Sequence, residues 1–246
     1  MRLIVTRPEP DDDRTARALI RLGHEAILSP MLDIVADAKA PIAACDFQAV
    51  AVTSANAVRA LSARADDAVA RTLPLYAVGD QTALEAKRAG FKNARSAGGA
   101  LADLVALLAR ERDPGAGPLL YAAGDVQAGD LAAEMKQHGF DVETAIVYRS
   151  VPRKRLSGVA EDALRSGTAD GVLLYSRRSA AAFAAAVTGA GLVPLPRRVV
   201  LYCLSEAVAE PLAGLAGDVR VAAEPNQLSL FALIESAAEK PANEGA

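Results

Sequence analysis

The chain has 246 residues, which is long for one ordinary domain and comfortable for two. Its net charge of −3, its lack of Trp and its aromatic content of 4% argue against a nucleic-acid binder. No apolar stretch approaches the roughly 20 residues of a membrane span. We expect no signal peptide, because the sequence enters a strand at once, and we expect Cys45 and Cys203 to be buried reduced thiols. These features predict a cytoplasmic protein.

Apolar runs typical of buried strands alternate along the chain with segments of helical periodicity. The predicted strands are residues 2–6, 25–29, 48–53, 74–78, 118–122, 142–147, 171–175, 199–203 and 219–222. The predicted helices are residues 13–22, 82–89 and 130–137. Each helix ends at or near a glycine, which takes a left-handed conformation without a Cβ clash. Alternating strands and helices imply parallel sheets.

Two segments of the chain are repeated. DFQAVAVTSANAVRAL, which starts at residue 46, resembles DGVLLYSRRSAAAFAAAV, which starts at residue 170. LYAVGDQTALEAKRAG at residue 75 likewise resembles LYCLSEAVAEPLAGLAG at residue 201. The two spacings nearly agree, which indicates two α/β lobes of one kind rather than a solenoid. Chance similarity between α/β units is the alternative explanation.

The two lobes need not be consecutive in the sequence. Residues 31–41 and 148–155 are extended apolar pieces that run into proline and charge, so we predict that the chain crosses between lobes there. The predicted lobes are 1–35 plus 152–246, and 36–151. The final residues, 240–246, are predicted to be disordered.

A set of short motifs carries a resemblance to a known family. The motifs are VTRP at 5–8, SPMLDI at 29–34, VTSANAV at 52–58, YAVGDQTA at 76–83, AAGD at 122–125, IVYRSV at 146–151 and AEPN at 223–226. In this order and spacing, over nearly the whole chain, they resemble the uroporphyrinogen-III synthase family. The resemblance implies two parallel-sheet α/β lobes joined by two extended connectors, with a ligand cleft between them.

The same resemblance implies a reaction. Members of this family convert linear hydroxymethylbilane into cyclic uroporphyrinogen III, with inversion of the last pyrrole ring and loss of water. They use no metal and no cofactor. Two distant histidines without nearby cysteine, His24 and His138, agree with the absence of a zinc site.

The implied substrate carries eight carboxylates, whereas the chain is slightly acidic. Helix N-termini can hold anions through free N–H groups and the helix dipole. Small or polar residues stand at several predicted helix starts, and Arg7 follows the first strand. The candidate substrate-binding residues are Arg7, Thr53, Ser54, Asn56, Gly79, Thr82, Gly124, Ser176 and Ser205.

Each candidate has a structural alternative. Gly79 and Gly124 could let a carboxylate approach the backbone closely. Ser54 and Thr82, taken singly, are explained as well by helix capping as by ligand binding. Arg7 could be an ordinary solvated arginine. Ser205 stands where members of the family often have glycine, which puts a close backbone approach there in doubt.

Tyr148 is the candidate catalytic residue. It ends an apolar strand where the chain leaves one lobe, and it matches the cleft tyrosine of the family. A general acid there could protonate the departing hydroxyl, and the alternative is a tyrosine that only fills space. The rival function is an intracellular, non-catalytic, two-lobed protein that binds a small molecule. We expect a monomer in either case, with no nucleic-acid or membrane partner.

Overall fold

The computed structural model describes residues 1–43, 45–64, 71–127, 129–215 and 217–238. Residues 240–246, predicted to be disordered, lie outside these ranges. The strands are β1 (Arg2–Val5), β2 (Glu25–Leu28), β3 (Leu32–Ala36), β4 (Ala49–Val52), β5 (Leu75–Ala77), β6 (Ala94–Ser96), β7 (Leu119–Gly124), β8 (Val142–Pro152), β9 (Gly171–Leu174), β10 (Val200–Cys203) and β11 (Asp218–Val221). The α-helices are α1 (Asp11–Arg21), α2 (Ala55–Ser62), α3 (Asp80–Arg88), α4 (Leu101–Glu111), α5 (Leu131–Gln137), α6 (Gly158–Arg165), α7 (Arg177–Gly189), α8 (Glu206–Ala209) and α9 (Gln227–Ala238).

The chain divides into two compact units. Unit 1 consists of Met1–Asp33 and Val151–Ala246, and unit 2 consists of Ile34–Ser150. Both divisions fall inside strands, in β3 and in β8, so the chain is extended at both crossings. The sequence analysis predicted divisions after residues 35 and 151.

Unit 1 is built on a five-stranded sheet with the order β11-β10-β9-β1-β2. Every pairing in this sheet is parallel. The first strand pairs with β9 from the far end of the sequence, and Leu3 lies opposite Gly171. Alternate residues of β1 serve different cores: Ile4 packs on the side of α6 and α7, whereas Leu3 and Val5 pack on the side of α9.

Unit 2 is built on a six-stranded sheet with the order β3-β8-β7-β4-β5-β6. The strands from β4 to β8 pair in parallel. All residues of β4 are buried, which explains its unbroken apolar sequence, because both faces of a parallel sheet are covered. The predicted α/β class with two similar parallel-sheet lobes is thus confirmed.

Several local predictions need correction. β6 was missed because ARS is not an apolar run, and β3 was interpreted only as an extended crossing. The α3 helix begins at Asp80, two residues before its predicted start. The glycines predicted to end three helices do have positive φ, from 80° to 93°. Cys203 is buried, but the prediction for Cys45 was wrong, because it is exposed. Within the described residues, no helix is both long and apolar enough to cross a membrane.

Candidate functional site

The predicted residues of unit 2 meet at the carboxyl edge of its sheet. Thr53 and Ser54 directly follow β4, and one residue separates Gly79 from the end of β5. Gly124 ends β7 and lies opposite Tyr148 of β8. Because these strands are parallel, their carboxyl ends share one edge, where open α/β sheets bind their ligands.

Ser54 is the N-cap of α2. Its backbone is extended, and its Oγ accepts a hydrogen bond of 3.1 Å from the backbone N–H of Asn56. The Asn56 Oδ1 accepts from Arg59 at 2.7 Å, and Arg59 also pairs with Glu85 of α3 at 3.2 Å. The capping interpretation of Ser54 is therefore confirmed, and the Asn56 side chain takes part in joining α2 to α3.

Gly79 is the N-cap of α3, which changes the interpretation of Thr82. Thr82 is the third residue of the helix and is buried, so the expectation that it caps the helix was wrong. A Cβ added to Gly79 would make only ordinary contact with Gly99, at 3.6 Å.

Gly124 and Tyr148 are packed against each other. A Cβ added to Gly124 would lie 2.5 Å from Cζ and 2.7 Å from the hydroxyl oxygen of Tyr148. The phenol ring thus occupies the place over Gly124 where a substrate carboxylate was expected to approach. The turn is held by Asp125, whose N–H donates to the Tyr148 carbonyl at 3.0 Å and whose Oδ1 accepts from the Ser150 N–H at 3.0 Å.

Tyr121 is a member of this edge that the sequence analysis missed. Its hydroxyl lies 3.1 Å from Thr53 Oγ1, and the residue is 1% exposed. Burial raises the pKa of the Tyr121 phenol, so the phenol keeps its proton at neutral pH. The contact follows from the strand register, since Tyr121 pairs with Ala51, two residues before Thr53 on the same face.

Arg7 lies at the carboxyl edge of the five-stranded sheet, just after β1. Its guanidinium carbon sits 4.5 Å from the ring centroid of Tyr175, a cation–π contact. Nη1 donates to Gln227 Oε1 at 3.3 Å, and Nη2 lies 3.8 Å from Asp11 Oδ2. Burial raises the pKa of Tyr175 to about 12, so its ring stays neutral. The Arg7 side chain is therefore fixed by neighbouring side chains and is not a free surface arginine.

Ser176 and Ser205 follow β9 and β10 at the same edge of unit 1. Ser176 caps α7, since its Oγ accepts from the Ser179 N–H at 3.1 Å. Ser205 occupies the N-cap position of α8, but its side chain makes no capping hydrogen bond. Its φ of −160° is extended backbone that any residue adopts, so a glycine is not required there.

The described residues contain no group of three His, Cys, Asp or Glu side chains that could hold a metal ion. His24 instead bonds Glu235 of α9 through Nε2 at 2.7 Å.

Comparisons with known proteins identify the family. The chain matches the family model described as uroporphyrinogen-III synthase HemD over residues 13–232. It is similar to the solved structure of uroporphyrinogen-III synthetase from Helicobacter pylori, with a TM-score of 0.61 and 18% identity over 96% of this chain and 100% of that chain. A mutant uroporphyrinogen III synthase from Thermus thermophilus gives a TM-score of 0.56 and 18% identity, over 98% and 100% of the two chains. A comparison with curated protein sequences found no significant match. The structural likeness supports the fold, and the family match spans most of the sequence, so the chain belongs to the uroporphyrinogen-III synthase family.

Proposed function

We propose that this chain cyclises hydroxymethylbilane to uroporphyrinogen III, with inversion of the last pyrrole ring and loss of one water molecule. The observation that carries the proposal is the family match over residues 13–232. This match favours the synthase over the non-catalytic binding protein. The reaction makes the protein a cyclising hydro-lyase of tetrapyrrole biosynthesis.

The substrate carboxylates are proposed to bind at helix N-termini and at Arg7. The first turns of α2, α3 and α7 offer N–H groups and the positive end of the helix dipole. Arg7, in cation–π contact with Tyr175, offers a guanidinium that can pair with a carboxylate in bidentate fashion. Thr53 and Ser205 add hydroxyl groups that do not cap a helix. These groups explain how a slightly acidic chain can bind an octa-acid.

Tyr148 is proposed as the general acid. Its ring is fixed against Gly124 at the end of β7, and the residue is 7% exposed. From that place a phenol can give its proton to the hydroxyl that leaves the substrate. The bond between this hydroxyl and its methylene carbon breaks and the hydroxyl leaves as water. The methylene carbon bonds to a pyrrole carbon, and the proton that the pyrrole carbon finally loses restores the phenol of Tyr148. The remaining catalysis is conformational, because the linear substrate must be held in the geometry that inverts the last ring.

The test is the isomer that the purified protein forms. Hydroxymethylbilane is incubated with the protein, the product is oxidised, and isomers I and III are separated by chromatography. We expect isomer III, with the same yield after treatment with a chelator. Formation of isomer I alone at high protein concentration would refute the proposed synthase activity. It would favour the non-catalytic protein that binds a small molecule.

The localisation, the partners and the oligomeric state of the protein belong to the same proposal. A small-molecule enzyme of this pathway would act in the cytoplasm, without nucleic-acid or membrane partners, and as a monomer. Light scattering at catalytic concentration measures the mass directly, and the value expected is that of one 25.4 kDa chain.

A further inference from the structure

Two buried tyrosines flank the central strand of unit 2. Ala51 of β4 pairs with Tyr121 of β7 on one side and with Tyr76 of β5 on the other. Both rings belong to the same core, on the face covered by α4 and α5. Their hydroxyl groups have different partners. The hydroxyl of Tyr121 bonds Thr53 at 3.1 Å, and that of Tyr76 donates to Glu111 Oε2 at 3.0 Å.

The direction of the bond between Tyr121 and Thr53 matters for an anion. A phenol is more acidic than an aliphatic alcohol and is therefore the better donor, so the favoured arrangement has Tyr121 donating to Thr53 Oγ1. The proton of Thr53 is then free to turn toward another acceptor. In the opposite arrangement Thr53 would present only lone pairs, which repel a carboxylate.

The cap of α2 involves the neighbouring hydroxyl, that of Ser54, and not the Thr53 hydroxyl. The Oγ of Ser54 already accepts from the Asn56 N–H, so it serves the helix. Thr53 is partly buried, and its hydroxyl lies within hydrogen-bond distance of the Tyr121 hydroxyl. The two adjacent hydroxyl groups therefore have different partners: Ser54 accepts from the backbone of α2, and Thr53 lies beside the Tyr121 hydroxyl.

We propose that Tyr121 is a positioning residue that holds the Thr53 hydroxyl as a hydrogen-bond donor toward a carboxylate of the substrate. The proposal rests on the proposed function. It assigns Tyr121 no contact with the reacting atoms, since Tyr121 acts through Thr53. Loss of Tyr121 should therefore weaken substrate binding more than it slows the chemical step.

The test compares Tyr121→Phe with Tyr76→Phe in steady-state kinetics. Each change removes one buried phenol hydroxyl from the same row of the same sheet, so both should lower the melting temperature. Tyr121→Phe is expected to raise KM by about 3–10-fold, the usual range for one hydrogen bond, with kcat changed less than about 2-fold. Tyr76→Phe should leave KM unchanged. An unchanged KM in Tyr121→Phe would overturn the proposal.

A double-mutant cycle separates action through Thr53 from a general structural effect. Thr53→Val should raise KM by the same factor as Tyr121→Phe, and the double variant should match Thr53→Val alone. Additive effects in the double variant would overturn the proposal.

Two further results keep the test decisive. If Tyr121→Phe does not fold, Thr53→Val alone should still raise KM, and a normal KM in Thr53→Val would refute the proposal. If the parent protein forms no isomer III, the proposed function fails, whereas normal parent activity with an unaffected Tyr121→Phe refutes the positioning role alone.

Discussion

The Tyr148 ring and the backbone of Gly124 depend on each other, because any side chain at residue 124 would overlap the phenol. The sequence analysis treated Gly124 as a place for the ligand and Tyr148 as a proton donor. The contact indicates instead that the glycine serves the tyrosine. Both residues then bear on one task, which is to hold the hydroxyl group in a fixed position at the carboxyl edge of the sheet.

Tyr148→Phe tests the proton donor with little change in volume. We expect turnover to fall by about 10–100-fold, the low end for general acid catalysis, because water or a substrate carboxyl group can partly replace the phenol. The melting temperature should change little, since the ring remains. Full turnover in this variant would mean that Tyr148 only fills space and donates no proton in the reaction.

Gly124→Ala tests the dependence of the ring on the glycine. The added Cβ would force the Tyr148 ring to move, at a cost of roughly 1–3 kcal/mol in stability, and turnover should fall with it. Gly171→Ala is the matched control, since its Cβ would lie 2.6 Å from the Tyr202 ring in unit 1. Urea unfolding and turnover are measured for both variants. Similar stability losses with a turnover loss in Gly124→Ala alone are expected, and equal turnover losses would contradict the assignment.

At the level of single residues, the sequence predicted positions better than contacts. Arg7 follows a strand and Tyr148 ends an apolar run, so both could be selected from the chain alone, although β8 continues past Tyr148 to Pro152. The bond between Thr53 and Tyr121 could not, because it depends on the register of two strands whose order in the sheet the sequence does not state. The contact of Arg7 with Tyr175 has the same origin, since one residue follows β1 and the other follows β9.

At the level of elements, the strand-to-helix turns follow a common rule with two exceptions, at Gly79 and at Ser205. Ser54 and Ser176 are serines that end an extended segment and cap the next helix. The turn before α3 places Gly79 at the N-cap position, and glycine has no side-chain oxygen. The first polar residue after a strand is therefore not always the residue that caps the next helix. Apolar runs identified the buried strands, whereas β6 has too few apolar residues to be recognised from sequence.

Ser176→Ala tests the capping of α7. Loss of the bond to the Ser179 N–H should cost about 1 kcal/mol in the free energy of unfolding, while Ser176→Gly should cost only a few tenths. Ser205→Ala is the control, because the side chain of Ser205 makes no capping bond, and a change within about 0.5 kcal/mol is expected. Urea denaturation of the three variants gives these values. A loss in Ser205→Ala as large as that in Ser176→Ala would contradict the assignment of the caps.

At the level of the whole molecule, the repeats in the sequence predicted two lobes, because two similar α/β units leave two similar patterns. The strand order within each sheet could not be predicted in the same way. Hydrophobic periodicity shows which residues are buried but not which strand lies beside which, so the place of β1 between β2 and β9 became visible only in the structure.

The stability of unit 1 should depend on pH through Asp170. Burial acts to raise the pKa of this carboxyl, but the Arg2 N–H and the Arg198 guanidinium, each at 2.7 Å, lower it below the ordinary value of 3.8. The ionised carboxylate therefore stabilises the fold above about pH 4, and this contribution disappears as the pH falls through the folded-state pKa.

Asp170→Asn should therefore be less stable than the parent protein at pH 7, by about 1–2 kcal/mol, as expected for hydrogen bonds to a charged group. The difference should shrink below pH 4. Thermal unfolding at pH 7, 5 and 3 measures it, with Asp218→Asn, another carboxylate paired with an arginine, as an exposed comparison. A difference that stays constant down to pH 3 would exclude ionisation of Asp170 as its cause.

The pairing of β1 with β9 bears on the order in which the protein can fold as it is synthesised. Unit 2 is one continuous segment, so its sheet can close once residue 150 has left the ribosome. The first strand must wait with one edge unpaired until Gly171 appears, since that residue lies opposite Leu3. At the usual 5–20 residues per second this delay is on the order of 10 s, far longer than the formation of a hairpin. The later segment is therefore expected to complete its fold before the segment that was made first.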